Sequence, residues 1–249
     1  DEPERNEILL RQIGIGVNYH DIYVRSGLYK TLDLPGIPGC EGVGIIEKKG
    51  SQVDHFEIGD KVVYIDKKYG SYSNYKLISQ ELAIKVPKNI KTELVASNYL
   101  RAMTVIMLLE HVANIVKDQW IIVTAASGGV GRMLCKWASL MGIKVIGMVS
   151  DLSKVHEKNL YKKIMKLTEN RGVDFIFDSV GSSKLFELID LLRNCGHVIN
   201  YGQASGMIPS FEMSMLAQKS LTVSRPILFH YIEDREKYES ISRGAFRIL

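Results

Sequence analysis

The sequence is poor in cysteine, with three residues, Cys40, Cys135 and Cys195, standing far apart among 249. An odd number without a CxxC spacing argues against a disulfide framework and predicts free thiols in a reducing compartment. Long apolar runs are also lacking, since none reaches the roughly 18 residues of a membrane-spanning helix. The first residues show neither the basic nor the apolar region of a signal peptide. We therefore expect a soluble cytoplasmic protein with no membrane partner.

Charge of one sign is not concentrated anywhere in the chain. The formal net charge is +4, and no block of Lys or Arg stands out, which argues against a nucleic-acid partner. Hydrophobic residues make up 46% and charged residues 24% of the chain, a globular composition that excludes the disordered and fibrous classes. A chain of 249 residues can hold one large domain or two ordinary ones.

The N-terminal part has the pattern of short β-strands. Apolar alternation over Glu7–Val17 predicts one strand, and apolar runs at Gly39–Glu47 and Gly59–Ile65 predict two more. Turn-forming Pro-Gly, Lys-Gly and Gly-Asp pairs separate these runs. Strands at this spacing predict a small antiparallel barrel or sandwich. From about Thr92 the apolar period lengthens, so Leu94–Val112 is predicted to be helical.

A glycine-rich turn between an apolar run and a helical segment is the most informative feature of the chain. It lies within Trp120–Ala138, and a further predicted strand, Lys144–Val149, follows. Strand, glycine turn, helix and strand in that order are typical of a Rossmann βαβ unit. The glycines let the backbone approach a pyrophosphate, which the N–H groups at the helix N-terminus then bind. The predicted phosphate-binding residues are Ser127, Gly128, Gly129, Val130 and Gly131.

A second βαβ half follows. A strand at Val173–Phe177, a helix near Lys184–Arg193 and a strand at His197–Tyr201 are expected. Alternating strands and helices predict a parallel, doubly wound sheet, so the fold class is α/β with a β-rich first domain. Ser179 follows the first of these strands and is expected at the rim where open α/β sheets bind ligands.

Five segments occur along the chain in a specific order. They are GVNYHDIYVRSG at 16–27, PGCEGVG at 38–44, AASGGVG at 125–131, FDSVG at 177–181 and SRP at 224–226. This pattern resembles the zinc-independent quinone oxidoreductases, the ζ-crystallin-like members of the medium-chain dehydrogenase/reductase superfamily. The resemblance implies a GroES-like catalytic domain at 1–101 and a Rossmann domain that binds NADPH at 102–226. Residues 227–249 would then begin a C-terminal return to the catalytic domain.

The resemblance also implies roles for single residues. Asn18 and Tyr23 are expected to orient the nicotinamide and the quinone carbonyl, and Thr104 to lie near the nicotinamide. By residue type alone, Tyr23 would be a half-buried packing residue of a strand-like segment, and Thr104 would be structural. Arg225 resembles an arginine that reaches the cofactor phosphates, for which its bidentate guanidinium is suited. The loop beside the nicotinamide carboxamide would be formed by Asn200, Tyr201, Gly202 and Gln203.

A catalytic zinc is not expected. Such a site needs three protein ligands with a fourth position left open. Where zinc-dependent relatives of this fold carry their ligands, this sequence has Asn18, Cys40 and Leu100, and only a cysteine could bind zinc. Cys40 is therefore predicted to be a small buried thiol. His20 and Glu41 are nearby polar residues that could form hydrogen bonds in the pocket without a metal.

The cofactor preference is expected to be set after the second Rossmann strand. NAD-binding proteins place a carboxylate there, which would repel a 2′-phosphate, whereas the aligned residue here is the neutral Val149. Ser150 and Lys154 resemble cofactor-binding residues, with Lys154 pairing with the 2′-phosphate. These features predict NADPH. Asp151 follows Gly131 at a spacing that would also suit an NAD-type acid, so both readings of this loop remain open.

Three pieces of the family pattern are absent from the sequence. The family has a hairpin before the segment that matches Asp1, a return segment after Leu249, and a helix and edge strand between Lys154 and Lys158, where only three residues stand here. Either the gene has lost these pieces, or disordered residues of a longer chain are left out of this sequence.

The favoured interpretation is an NADPH-dependent quinone reductase in which the cofactor supplies the hydride. One alternative is an enoyl or enone reductase of the same superfamily. Others are a non-catalytic NADPH- or RNA-binding protein and a decayed, inactive remnant. A homodimer is also expected, because the uncharged, β-branched strand Ser220–Ser224 would leave a sheet edge able to pair with a second chain.

Overall fold

The protein divides into two compact units in a computed structural model that describes residues 2–149, 158–181 and 184–249. The first unit runs to Met103 and includes Phe229–Leu249, and the second is Thr104–Leu228. Each unit is built around one five-stranded sheet. Within the described residues, no helix combines the length and apolar character needed to cross a membrane.

An antiparallel sheet organises the first unit. Its strands are β1 (Glu7–Ile15), β2 (Glu41–Lys49), β3 (Lys61–Ile65), β4 (Tyr75–Ser79) and β5 (Ala83–Lys85), in the order β4-β1-β2-β3-β5. Every pair in this order is antiparallel. Ile8 and Leu10 alternate with exposed or half-buried residues along β1 and pack in the core with Ile46 and Tyr64. The alternation in the sequence therefore predicted β1 correctly, although the strand ends at Ile15 rather than Val17.

The helices of this region begin with α1 (Tyr19–Arg25) and a short 3₁₀ turn (Gln80–Leu82). They continue with α2 (Thr92–Ile106), which runs on into a π-helical segment (Met107–Val112), so the predicted helix Leu94–Val112 is confirmed. The last helix, α8 (Arg235–Ile248), belongs to the first unit. The Tyr238 hydroxyl of α8 anchors the helix to the first unit, because it donates to the Leu82 carbonyl oxygen (3.1 Å) and accepts from the Ile65 N–H (3.2 Å).

A parallel sheet organises the second unit, in the order β10-β9-β8-β6-β7. Its strands are β6 (Trp120–Val123), β7 (Lys144–Gly147), β8 (Val173–Asp178), β9 (Leu192–Asn200) and β10 (Thr222–Ser224). The helices are α3 (Gly129–Leu140), α4 (Lys158–Leu167), α5 (Lys184–Ile189) and α6 (Ser214–Ala217), with α7 (Leu228–Tyr231) following. All six residues of β8 are buried, as expected for a central parallel strand with both faces covered. The predicted doubly wound α/β class is confirmed.

Two local predictions were wrong. The helix expected over Lys184–Arg193 ends at Ile189, because Leu192 already pairs with Val173 as the first residue of β9. The segment containing Tyr23 is helix α1, not strand-like. The Asp21 carboxylate accepts the Asn18 backbone N–H at 2.8 Å, and this capping contact outweighs the β-branched residues inside the short helix.

Candidate active site

The glycine turn between β6 and α3 is closely packed at Gly131. A Cβ atom added at Gly131 would lie 2.3 Å from the Ala125 carbonyl oxygen and 2.9 Å from the Ala126 Cα. Only glycine fits there because a Cβ atom would clash with the backbone of the turn. The φ angle of Gly131 lies outside the left-handed region, so backbone conformation is not what requires glycine. The preceding residues Ser127, Gly128 and Gly129 are exposed, so the turn is open to a ligand.

The N-terminus of α3 suits an anion. Within the described part of the chain, no side chain caps the first turn of α3, and that turn holds no acidic residue. Its backbone N–H groups and the positive end of the helix dipole then favour a phosphate. The 12-residue length of α3 gives a full helical dipole at this position.

A buried carboxylate, that of Asp178, ties three strand ends together. It accepts hydrogen bonds from Thr124 Oγ1 (2.8 Å), from Asn200 Nδ2 (2.6 Å) and from the Gly181 backbone N–H (3.0 Å). Thr124 Oγ1 accepts in turn from the Ser179 N–H at 3.1 Å. These contacts hold the carboxyl ends of β6, β8 and β9 in register, at the edge where open α/β sheets bind ligands.

The loops that follow β8 and β9 touch each other. A Cβ atom at Gly202 would lie 2.7 Å from the Ser179 carbonyl oxygen. Asn200 Nδ2 also donates to the Gly202 carbonyl oxygen at 2.9 Å, and the Arg225 guanidinium donates to Asn200 Oδ1. The structure therefore brings together the residues predicted for this edge, namely Ser179, Asn200, Tyr201, Gly202, Gln203 and Arg225.

Thr124 and Asp178 were given no role from the sequence, although Asp178 belongs to a quoted motif. The available signal was an acidic residue directly after a buried apolar strand. Thr104 lies buried in α2. Two other predicted cofactor residues, Ser150 and Lys154, fall outside the described residues.

In the first unit, Asn18 precedes α1 and is buried. Its Nδ2 donates to Glu41 Oε1 at 2.7 Å, and its backbone N–H donates to Asp21 Oδ2 at 2.8 Å. The Tyr72 hydroxyl also donates to Asp21 Oδ2, at 2.9 Å. Two carboxylates thus fix both the backbone and the side chain of Asn18. Asp21 Oδ1 is buried and has no hydrogen-bond partner among the described residues.

Glu41 is the first residue of β2 and is 1% exposed. Its Oε2 accepts the Leu100 backbone N–H at 2.8 Å. Burial raises the pKa of its carboxyl to about 7, against the opposing effect of the hydrogen bonds from Asn18 and Leu100. A Cβ atom at Gly16 would lie 1.9 Å from Oε1, so the glycine makes room for the carboxylate.

Asn18 and Leu100, the two residues predicted to replace zinc ligands, therefore both donate to one carboxylate. Within residues 2–149, 158–181 and 184–249, no group of three His, Cys, Asp or Glu side chains is arranged to hold a metal ion. Cys40 is fully buried, and burial raises the pKa of its thiol. The prediction of a small buried thiol at this position is confirmed.

Aromatic side chains surround Tyr23. Its ring centroid lies 5.0 Å from that of Tyr29 and 5.6 Å from that of Tyr19, which is 57% exposed. His20 stacks on Tyr69 with ring centroids 5.8 Å apart, and its Nε2 lies 3.1 Å from the Tyr69 hydroxyl. Burial lowers the pKa of His20, so its imidazole is neutral at pH 7. Aromatic faces of this kind bind planar rings.

Comparison with known proteins gives consistent results. Residues 4–88 match the alcohol dehydrogenase GroES-like domain. The chain is 34% identical to quinone oxidoreductase 1 of Escherichia coli K12, and the match covers 100% of this chain and 80% of that protein. It is 32% identical to the quinone oxidoreductase of Salmonella typhimurium, with the same coverage. The crystal structure of E. coli quinone oxidoreductase complexed with NADPH superposes with a TM-score of 0.93, over 100% of this chain and 81% of that one.

Proposed function

The chain belongs to the quinone oxidoreductase family of the medium-chain dehydrogenase/reductase superfamily, and from that premise we propose that it reduces quinones with NADPH. The observation that carries the proposal is the glycine turn at the N-terminus of α3, with its closely packed Gly131. The full-length likeness to a quinone oxidoreductase complexed with NADPH supports the same cofactor.

The residues of the second unit fit a dinucleotide. The exposed glycine turn leaves the backbone room to meet a pyrophosphate, and the uncapped first turn of α3 supplies N–H donors. Ser179 is held at this sheet edge by Thr124 Oγ1, and the loop Asn200–Gln203 by the Asp178 carboxylate, to which Thr124 also donates. They would hold the nicotinamide end, while Arg225 carries a positive charge to this edge. When bound, NADPH supplies the hydride for the reduction.

The first unit would orient the reactants. Asn18 is fixed at two points by carboxylates, so its amide is preorganised to hold a ring substituent in one place. Tyr23 and its aromatic neighbours would hold the planar quinone. A quinone that accepts one hydride needs one proton to become the hydroquinone, and in our proposal solvent supplies it.

Finer features are part of the same proposal. No metal takes part, because an amide and a leucine replace two of the three zinc ligands. Lys154 gives the preference for NADPH by pairing with the 2′-phosphate.

The chain forms a homodimer through β10, the edge strand of its sheet, where Val223 is 37% exposed. The three free cysteines favour the reducing environment of the cytoplasm.

The deciding experiment follows NADPH oxidation with benzoquinone, naphthoquinone and a simple enone as acceptors. We expect oxidation coupled to hydroquinone formation, and a slower reaction with NADH. Oxidation with the enone alone would favour an enone reductase. Tight NADPH binding without oxidation would favour a binding protein, and neither binding nor oxidation would favour an inactive remnant.

A further inference from the structure

The buried Glu41 carboxylate has a feature that the proposed function does not use. Its two oxygens face two N–H donors, Asn18 Nδ2 at 2.7 Å and the Leu100 backbone N–H at 2.8 Å. Burying a carboxylate costs free energy unless its oxygens are bonded. Here the bonding is complete only when the group is ionised, since both partners donate.

The Asn18 side chain has a donor end and an acceptor end that a half-turn of the amide exchanges. An ionised carboxylate can only accept, so it selects the state in which Nδ2 faces Glu41. We propose that Glu41 is a positioning residue, whose ionised carboxylate fixes the flip state of the Asn18 amide and so sets which end of that amide is offered to the reactants. This inference rests on the proposed function, in which Asn18 orients nicotinamide and quinone.

Protonation of Glu41 would disturb this arrangement at one specific place. If the carboxyl O–H points at Asn18 Nδ2 or at the Leu100 N–H, two donors face each other and the hydrogen bond at that oxygen is lost. The Leu100 N–H belongs to the backbone of α2 and cannot turn away. The Asn18 amide can flip, giving up its capping-box contact with the Asp21 backbone N–H, so that its Oδ1 accepts from the new O–H. Two states of Glu41 therefore correspond to two orientations of Asn18.

The surroundings of Glu41 place its titration in the neutral range. Burial raises its pKa to about 7, with Asp21 of α1 adding to the rise and Arg101 of α2 opposing it. Its other titratable neighbours have pKa values that burial raises, and they stay neutral near pH 7: Cys40, Tyr64, Tyr72, Tyr99 and Tyr238. Glu41, bonded to Asn18 Nδ2, is thus a group whose charge changes near neutral pH.

The first test needs no substrate and no variant of Glu41. The side-chain amide signals of Asn18 are followed by NMR across the neutral pH range, after assignment by their loss in Asn18→Ala. We expect both amide protons to move in one titration centred near neutrality. Signals that stay constant through this range would overturn the inference.

The second test compares Glu41→Gln with Asp66→Asn. Asp66 is another buried carboxylate of the first unit, and its oxygens bond to the Lys68 N–H (2.8 Å) and to Lys76 Nζ (2.9 Å) and not to Asn18. Glu41→Gln should hold the Asn18 signals at their low-pH positions. It should also lower kcat about 10- to 100-fold, remove the pH dependence of kcat and change the Kd for NADPH little. Asp66→Asn should keep the Asn18 titration and the pH profile of the parent.

The outcomes separate the two proposals. If the parent chain reduces quinones and Glu41→Gln has the same kcat and pH profile as the parent, the positioning role is overturned and the proposed function stands. A parent chain that reduces no quinone would overturn the proposed function, and with it the catalytic role of Glu41, even if the Asn18 signals titrate.

Discussion

Replacing Gly131 by alanine tests the cofactor turn most sharply, because the structure leaves no room for one methyl group. The new Cβ would lie 2.3 Å from the Ala125 carbonyl oxygen and 2.9 Å from the Ala126 Cα. Both of these are backbone atoms, so no side chain can rotate out of the way. The turn itself has to move by about 1 Å to restore an ordinary contact.

Such a shift changes the N–H groups that face the phosphate. Losing one charge-assisted hydrogen bond costs about 1.5–3 kcal/mol, which is about one to two decades in Kd. We therefore expect Gly131→Ala to weaken NADPH binding about 10- to 100-fold. Overpacking should also lower the free energy of unfolding by about 1–3 kcal/mol.

Gly128→Ala is the matched control, three positions away in the same turn. Its Cβ would lie 3.1 Å from the same Ala125 oxygen, and its backbone φ of −73° suits any residue. A shift of a few tenths of an ångström is enough, so we expect a stability cost of about 1 kcal/mol or less and a smaller change in NADPH Kd than Gly131→Ala gives. Fluorescence titration with NADPH and urea unfolding measure both quantities. Equal Kd values for Gly131→Ala and the parent would refute the reasoning.

Further predictions concern the reactants, the cofactor preference and pH. Asn18→Ala and Tyr23→Ala should each lower turnover by about one to three decades while NADPH binding is kept; loss of binding in step with turnover would count against an orienting role. Lys154→Ala should weaken NADPH binding by about 1.5–3 kcal/mol and NADH binding far less. Equal losses of NADPH and NADH affinity in parallel titrations would contradict the assignment of Lys154 to the 2′-phosphate. Burial raises the pKa of Glu41 from 4.5 to about 7, so the folded state holds this proton more tightly. Stability should fall by up to about 3 kcal/mol as pH rises from about 4.5 to about 7, and urea unfolding of Glu41→Gln should not show this fall.

The parts of the fold that could be predicted are those set by short-range patterns. Alternation along β1, the glycine turn before α3 and the buried apolar run of β8 each depend on neighbouring residues. Helix α1 was missed because its start depends on one capping carboxylate, Asp21, within a run that otherwise favours a strand. The helix predicted up to Arg193 was too long because pairing with β8 draws Leu192 into β9.

The supporting contacts of the candidate site are long-range, and no local pattern indicates them. Glu41 bonds to Asn18 across 23 positions and to Leu100 across 59. Asp178 bonds to Thr124 across 54. The resemblance predicts a role for Asn18, but which carboxylate holds its side chain in place is seen only when the chain is folded.

The measurement that most directly tests the central claim is a single-turnover reaction of the chelator-dialysed protein with naphthoquinone and NADPH deuterated at the transferred position of the nicotinamide. We predict that one hydroquinone forms for each NADPH oxidised, that the deuterated cofactor reacts more slowly, and that added zinc has no effect. Failure to form hydroquinone, or formation only after zinc is restored, would contradict an NADPH-dependent, metal-free quinone reductase.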